Sequence, residues 1–160
     1  MKKIVCTSSI GRLLFVPFLA LAVLAGPVLA QGVPIPPAFK QLVATAKSQI
    51  KSIDMETFKS KLDRNDAGLV IDVREPGEYA EGHIAGAVNV PRGLIELKVW
   101  PLVGFPDKTD MNKQMTLYCG TGARCVLATK SLQDLGFTNV TAVNMTIIDW
   151  EVAGYKLVQK

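Results

Sequence analysis

The sequence predicts an α/β protein in which a mostly parallel central sheet is covered by helices on both faces. Short uncharged runs rich in Val, Ile and Leu recur along the chain, as expected of strands that are buried on both faces. Between them lie segments whose apolar residues repeat at helical spacing. Strands that alternate with helices usually pair in parallel. The 160 residues are enough for one ordinary domain with an appendage, and too few for two.

The first 30 residues have the composition of an export signal peptide. Residues 1–12 are basic, residues 13–25 are apolar, and residues 28–30 (Val-Leu-Ala) suit a cleavage site. We therefore expect cleavage after Ala30, a mature N-terminus at Gln31 and a periplasmic location. The alternative is an uncleaved membrane anchor facing the periplasm, because residues 13–30 carry no charge.

Residues 31–51 are predicted to form an N-terminal extension with a helix. Three prolines within residues 31–37 predict an extended start. Apolar residues at helical spacing from Phe39 to Ile50 then predict a helix, and Pro37 suits its first turn. We expect this helix to dock on the domain that follows rather than to act as a spacer for partner contact.

The remaining elements are predicted within one domain, residues 52–158. Asp54 is the predicted N-cap of a helix over 55–62, and residues 65–68 have the composition of a turn. Strands are predicted at 68–73, 87–90, 115–118 and 138–143, and further helices at 76–80, 94–100, 124–135 and 147–152. Gly136 is predicted to end the longest of these helices, and Pro101 to end the helix over 94–100.

Charge and residue counts exclude several classes of protein. The net charge is +4, but Lys2, Lys3 and Arg12 lie in the first 30 residues, so 15 basic and 14 acidic residues remain, or +1. A near-neutral domain gives no electrostatic reason to bind nucleic acid. One His and two remaining Cys are too few for a four-ligand zinc site. We therefore predict no metal and no cofactor.

One segment combines the features of a reactive site. The predicted strand 115–118 runs into Cys119, a loop of small residues follows (Gly120, Thr121, Gly122 and Ala123), and a helix starts at Arg124. Ligands of parallel sheets bind at the carboxyl ends of strands. Loop N–H groups, a helix N-terminus and a guanidinium all favour an anion there, so Cys119 should be a thiolate near neutral pH. The alternative is an ordinary buried cysteine at a strand end.

Several blocks of the sequence together resemble a known family. They are residues 69–79 (LVIDVREPGEY), 82–91 (GHIAGAVNVP), 119–124 (CGTGAR), 136–140 (GFTNV), and Trp150 with 153–155. The chain resembles single-domain rhodaneses, which are thiosulfate sulfurtransferases. The resemblance covers roughly residues 52–158, most of the expected mature chain, and implies the rhodanese-like α/β fold.

The resemblance implies a two-step covalent reaction. The Cys119 thiolate attacks the outer sulfur of thiosulfate or a similar donor, sulfite leaves, and cyanide or a thiol removes the sulfur from the resulting persulfide. Arg124 would orient the anionic donor, and the backbone from Gly120 to Arg124 would bind it. The implied partners are small molecules and, in addition, a protein that accepts sulfur. We expect a monomer that contacts a membrane only if the signal is uncleaved.

Loop length separates sulfur transfer from phosphate chemistry on the related fold. The related dual-specificity phosphatases have five residues between Cys and Arg, whereas this chain has four. A tighter ring suits a sulfur atom better than a tetrahedral phosphate. The short loop thus argues against a phosphatase or an anion reductase. A non-catalytic binding or redox-sensing module is the remaining alternative, and the intact Cys119 and Arg124 argue against it.

Two departures from the family pattern lie near the predicted site. Cys125 stands where the family often has Ser, and Met145-Thr146 stand where it often has Gly-Gly. Cys125 is therefore either a redox partner that forms a disulfide with Cys119 or a weak S–H donor to its thiolate, and we favour the donor.

Three polar residues have structural rather than catalytic predicted roles. We expect His83 to order its loop by hydrogen bonding. Asp72 and Arg74 should form an ion pair, and Arg74 could border the substrate entrance.

Overall fold

The computed structural model describes residues 34–159, and the described residues contain one five-stranded parallel sheet. Its strands are β1 Lys51–Asp54, β2 Leu69–Asp72, β3 Val88–Asn89, β4 Met115–Tyr118 and β5 Val140–Asn144. Their order across the sheet is β1-β5-β4-β2-β3. β4, which leads into Cys119, therefore lies at the centre, paired on its two sides with β5 and β2.

Helices cover the sheet. They are α1 Pro37–Lys47, α2 Met55–Asp63, α3 Pro76–Glu81, α4 Ile95–Lys98, α5 Ala123–Asp134 and α6 Ile147–Val152, with 3-10 turns at Arg92–Leu94 and Trp100–Val103. No helix of residues 34–159 is long and apolar enough to cross a membrane. The predicted signal peptide and its cleavage site lie outside the described residues.

Two apolar cores, one on each face of the sheet, confirm the predicted fold class. Neighbouring strand residues point to opposite faces, so Leu117 enters one core and Tyr118 the other. The first core contains the buried side of α5 together with Ala46 of α1. The second contains Phe58 of α2 and Trp150 of α6, whose rings lie 5.8 Å apart. A parallel sheet buried on both faces explains why β4 is uniformly apolar or uncharged.

The structure adds a fifth strand, β1, that the sequence analysis did not predict. β1 pairs in parallel with β5 at the edge of the sheet, and only Ile53 of its four residues is partly buried. A short edge strand with one apolar residue lacks the alternation of apolar and polar residues from which a strand is predicted. β1 also crosses the boundary at residue 52 that the sequence suggested between the extension and the domain.

The prediction of one helix over 94–100 that ends before Pro101 was wrong. The segment is instead a 3-10 turn, the short helix α4 and a second 3-10 turn that continues to Val103. Pro101 does not end it, because proline occupies one of the first positions of the last turn, where its missing N–H is not needed.

The helix of the N-terminal extension docks on the domain, as predicted. Ala46 is buried, and Val43 and Ile50 pack against the first core. Residues 35–159 accordingly belong to one compact unit that includes α1.

Candidate active site

The loop after β4 places Cys119 at the carboxyl edge of the sheet, directly before α5. α5 begins at Ala123, one residue before the predicted start. Its N-cap is Gly122, at φ +84°, a conformation that favours glycine because a Cβ would be strained there. This turn bends the backbone around the sulfur.

Backbone N–H groups converge on the Cys119 sulfur. Gly122 N and Cys125 N donate to Sγ at 3.1 and 3.4 Å. A hydrogen bond from the Cys125 thiol, followed by the N–H groups of Cys125, Thr121 and Gly122, lowers the pKa of Cys119 to about 6, although burial opposes the shift. The group is therefore mainly a thiolate at pH 7, as predicted from the sequence.

Cys125 stays protonated beside that thiolate. Its Sγ lies 3.1 Å from the Gly122 carbonyl oxygen and 3.5 Å from that of Val143. The hydrogen bond to Cys119, burial and the negative charge of Cys119 raise the pKa of Cys125 well above its usual value. In this structure the S–H contacts of Cys125 are to backbone carbonyl oxygens. Both cysteines are free, so the structure contains no Cys119–Cys125 disulfide, and the S–H donor role toward Cys119 stays a prediction.

Arg124 is engaged by a carboxylate. Its Nη1 and Nη2 donate to the two oxygens of Glu78 at 2.6 and 2.8 Å. This pairing lowers the pKa of Glu78 to about 2 and raises that of Arg124. The guanidinium also lies against the loop, since a Cβ at Gly120 would stand 3.0 Å from Nη2. The predicted anion-binding charge is therefore neutralised in this structure.

Asp72 and Arg74 form the predicted ion pair, and it is buried. Arg74 Nη2 lies 2.6 Å from Asp72 Oδ2 and also donates to the Gly82 carbonyl oxygen at 2.6 Å. Arg74 lines a cavity of about 170 Å³ together with Glu78 and Ile147. A Cβ at Gly120 would lie 3.8 Å from Arg74 Cδ, so this cavity adjoins the active loop.

His83 orders its own segment, as expected. Its ring stacks on that of Tyr79 with centroids 3.7 Å apart, and Nδ1 lies 2.9 Å from the Tyr79 carbonyl oxygen. Its backbone exchanges two hydrogen bonds with Val158. These contacts tie the C-terminal segment to the turn after α3.

Met145 and Thr146, which depart from the family pattern, directly precede α6, and α6 contacts the active loop. Thr146 caps α6 by accepting from Asp149 N at 3.0 Å. The next residue, Ile147, donates its N–H to the Gly120 carbonyl oxygen at 3.2 Å. The start of α6 is thereby fixed to the active loop.

Two contributors to the site were missed from the sequence. Glu78 lies within one of the blocks that resemble the family, and Ile147 is the first residue of a predicted helix, but the sequence predicts no contact of either with the active loop. A carboxylate in the first turn of a helix is common, so no local pattern indicates that Glu78 pairs with a residue 46 positions away. Within residues 34–159, no group of three or more His, Cys, Asp or Glu side chains could hold a metal ion.

Comparison with known proteins agrees with this geometry. Residues 54–153 match the model of the rhodanese-like domain. The chain belongs to the rhodanese-like family. It is 32% identical over 111 residues to the thiosulfate:glutathione sulfurtransferase of Saccharomyces cerevisiae, covering 64% of this chain and 79% of that protein. It is 31% identical over 103 residues to Bacillus subtilis YrkF, and there it spans about half (52%) of the relative's length.

Solved rhodanese structures share the fold. The thiosulfate sulfurtransferase of Pseudomonas aeruginosa superposes with a TM-score of 0.64 at 28% identity, over 76% of this chain and 22% of that one.

Proposed function

We propose that the chain is a rhodanese-type sulfurtransferase that carries sulfane sulfur as a persulfide on Cys119. The observation that carries this proposal is the ring of N–H donors around a thiolate at the end of the central strand. The relatives that are thiosulfate sulfurtransferases support sulfur transfer as the general reaction.

The first step transfers sulfur to the enzyme. The Cys119 thiolate attacks the outer sulfur of thiosulfate, the S–S bond of the donor breaks, and sulfite leaves with the bonding electrons. Because Cys119 is already ionised, no general base is needed. The four-residue loop surrounds the sulfur with backbone donors, which can also stabilise the persulfide anion.

The second step returns the sulfur to an acceptor. Cyanide or a thiolate attacks the terminal sulfur of the persulfide, and Cys119 leaves as the thiolate that began the cycle. Cys125, whose raised pKa keeps it protonated, remains an S–H donor throughout.

Access to Cys119 requires a movement of side chains. Cys119 has no exposed surface, whereas the side chains of Arg124 and Glu78 are 30% and 39% exposed. We infer that an anionic donor separates this ion pair, takes Glu78's place on Arg124 and so reaches the loop. Thiosulfate then competes with a carboxylate, which should make it a weakly bound donor.

Thiocyanate formation from thiosulfate and cyanide tests the proposal. The purified protein should turn over with ping-pong kinetics, and Cys119→Ser should be inactive. Absence of thiocyanate with thiosulfate and also with polysulfide as donor would favour a binding or sensing module. Turnover in Cys119→Ser equal to that of the parent would remove Cys119 from the mechanism.

A further inference from the structure

An exposed apolar surface lies beside the active loop. Ile148 and Val152, four residues apart on α6, share one face of the helix and are 65% and 83% exposed. We call this pair the α6 face. It is fixed to the loop, because the neighbouring Ile147 N–H bonds to the Gly120 carbonyl oxygen.

The rim of the adjoining cavity is acidic. Glu81 and Glu151 line it and are exposed, and among residues 34–159 neither forms an ion pair. Both guanidinium groups nearby are already neutralised, Arg74 by Asp72 and Arg124 by Glu78. We call Glu81 and Glu151 the acidic rim.

Other charges do not reverse this balance. Glu75 is exposed and near enough to Arg124 to raise the pKa of its guanidinium, so it adds negative charge. Lys59 and Lys156 line a different cavity, together with Trp150 and Tyr155. Among residues 34–159, Arg74 is the only basic residue that lines the cavity, and Asp72 pairs with it, so Glu81 and Glu151 leave the rim with a net negative charge next to an apolar face.

Such a surface discriminates between sulfur acceptors. A negative potential slows the approach of anions and speeds that of cations. The cavity of about 170 Å³ can admit a small molecule, yet neither residue of the α6 face lines it. An acceptor that uses both features must extend across the helix, as a polypeptide segment does.

We propose that the α6 face and the acidic rim form the docking surface for a protein sulfur acceptor whose cysteine is flanked by basic and apolar residues. This inference rests on the proposed sulfurtransferase function. Basic side chains of the segment pair with Glu81 and Glu151, and an apolar one packs on Ile148 and Val152. The acceptor thiolate attacks the terminal sulfur of the Cys119 persulfide, the S–S bond to Cys119 breaks, and Cys119 leaves as a thiolate.

Peptide acceptors test this surface. The protein is loaded with excess thiosulfate, desalted and mixed with acetyl-Lys-Lys-Leu-Cys-Leu-Lys-amide or with the same peptide carrying Glu for each Lys. The rate of sulfur loss from Cys119 is followed by intact mass. Each variant is compared with the parent using the same peptide, which cancels the intrinsic reactivity of the peptide thiol.

The variant with both Glu81→Gln and Glu151→Gln should react with the basic peptide at least about fivefold more slowly than the parent at low salt. The difference should shrink in high salt, because the Debye length falls to about 3 Å at 1 M. The variant with Ile148→Ser and Val152→Ser should raise the half-saturating peptide concentration at least about threefold. With the acidic peptide, the rate of sulfur loss from Cys119 should be no lower in either variant than in the parent.

Two matched controls lie away from the site. Asp107→Asn removes an exposed carboxylate, and Leu97→Ser removes an apolar side chain that is 76% exposed. Both should match the parent. Discharge by cyanide, largely neutral hydrogen cyanide at pH 7, should be equal in all variants and shows that each is folded and loaded.

The outcomes separate the two proposals. If loading and cyanide discharge succeed but the basic peptide reacts equally with parent and rim variant, the docking surface is overturned and the function stands. If the parent cannot be loaded by thiosulfate or polysulfide, the proposed function fails and the docking proposal fails with it.

Discussion

The proposed reactivity of the site depends on the ionisation of Cys119, to which the neighbouring Cys125 thiol contributes. The pKa of Cys119 is lowered to about 6, with the Cys125 thiol as the first cause. Because the thiolate is the nucleophile, kcat/KM for the donor should rise with pH through about 6 and stay level above 7. Protonation below that pKa should abolish the reaction.

Replacing Cys125 tests whether its S–H stabilises the Cys119 thiolate. Cys125→Ala removes the S–H donor and should move the midpoint of the pH profile upward by about one to two units, because a lost charge-assisted hydrogen bond of about 1.5–3 kcal/mol no longer stabilises the thiolate. Cys125→Ser keeps an O–H donor and should shift it much less. Thiolate absorbance titrations of both variants measure the midpoint, and equal values for Ala, Ser and Cys would contradict the donor role.

We propose that Glu78 limits the use of anionic donors by pairing with Arg124. In Glu78→Gln the amide can still accept from Arg124, but the carboxylate charge is gone. KM for thiosulfate should fall about threefold or more, since the anion no longer competes with a charged group. Arg124→Ala should raise KM, and Arg124→Lys should rescue poorly because the planar fork is lost. A KM unchanged in Glu78→Gln would show that the ion pair does not obstruct the donor.

At the scale of elements, the sequence predicts well where burial dictates composition. β4 begins and ends at the predicted residues, and so does α6. β4 is buried throughout, and α6 has a capping box. β1 carries no such signal, because three of its four residues are exposed. Its strand conformation is imposed by pairing with β5, which depends on tertiary structure.

The residues of the site also differ in whether the sequence can predict them. Cys119, the glycine loop and Arg124 are contiguous, so their spacing indicates a reactive thiolate. The Arg124–Glu78 pair joins two elements 46 residues apart and depends on how α3 and α5 meet. The sequence therefore predicts the nucleophile but not the neutralisation of the guanidinium beside it.

The docking of α1 makes a prediction for stability. Ala46 is 6% exposed and packs in the first core. Ala46→Asp places a carboxylate there and should lower the free energy of unfolding by about 2–4 kcal/mol. The matched change Ala44→Asp lies on the exposed side of the same helix and should cost at most about 1 kcal/mol, from lower helix propensity and a negative charge in the last turn. Urea unfolding measures both, and equal losses would show that α1 does not contribute through burial.

For the whole molecule, we propose that the domain works in the periplasm after removal of residues 1–30. Protein recovered from a periplasmic fraction should begin at Gln31, because the basic, apolar and Val-Leu-Ala segments suit signal cleavage. N-terminal sequencing checks this. An intact Met1 in the membrane fraction would instead support the anchored form facing the same compartment.

Sulfur transfer through Cys119 is tested most directly by intact mass after thiosulfate treatment. The reduced parent should gain one sulfur atom, about 32 Da, as a covalent intermediate. Cys125→Ser should gain the same mass, Cys119→Ser should gain none, and cyanide should remove the sulfur. An unchanged parent mass, or fragments that place the sulfur on Cys125, would contradict the account.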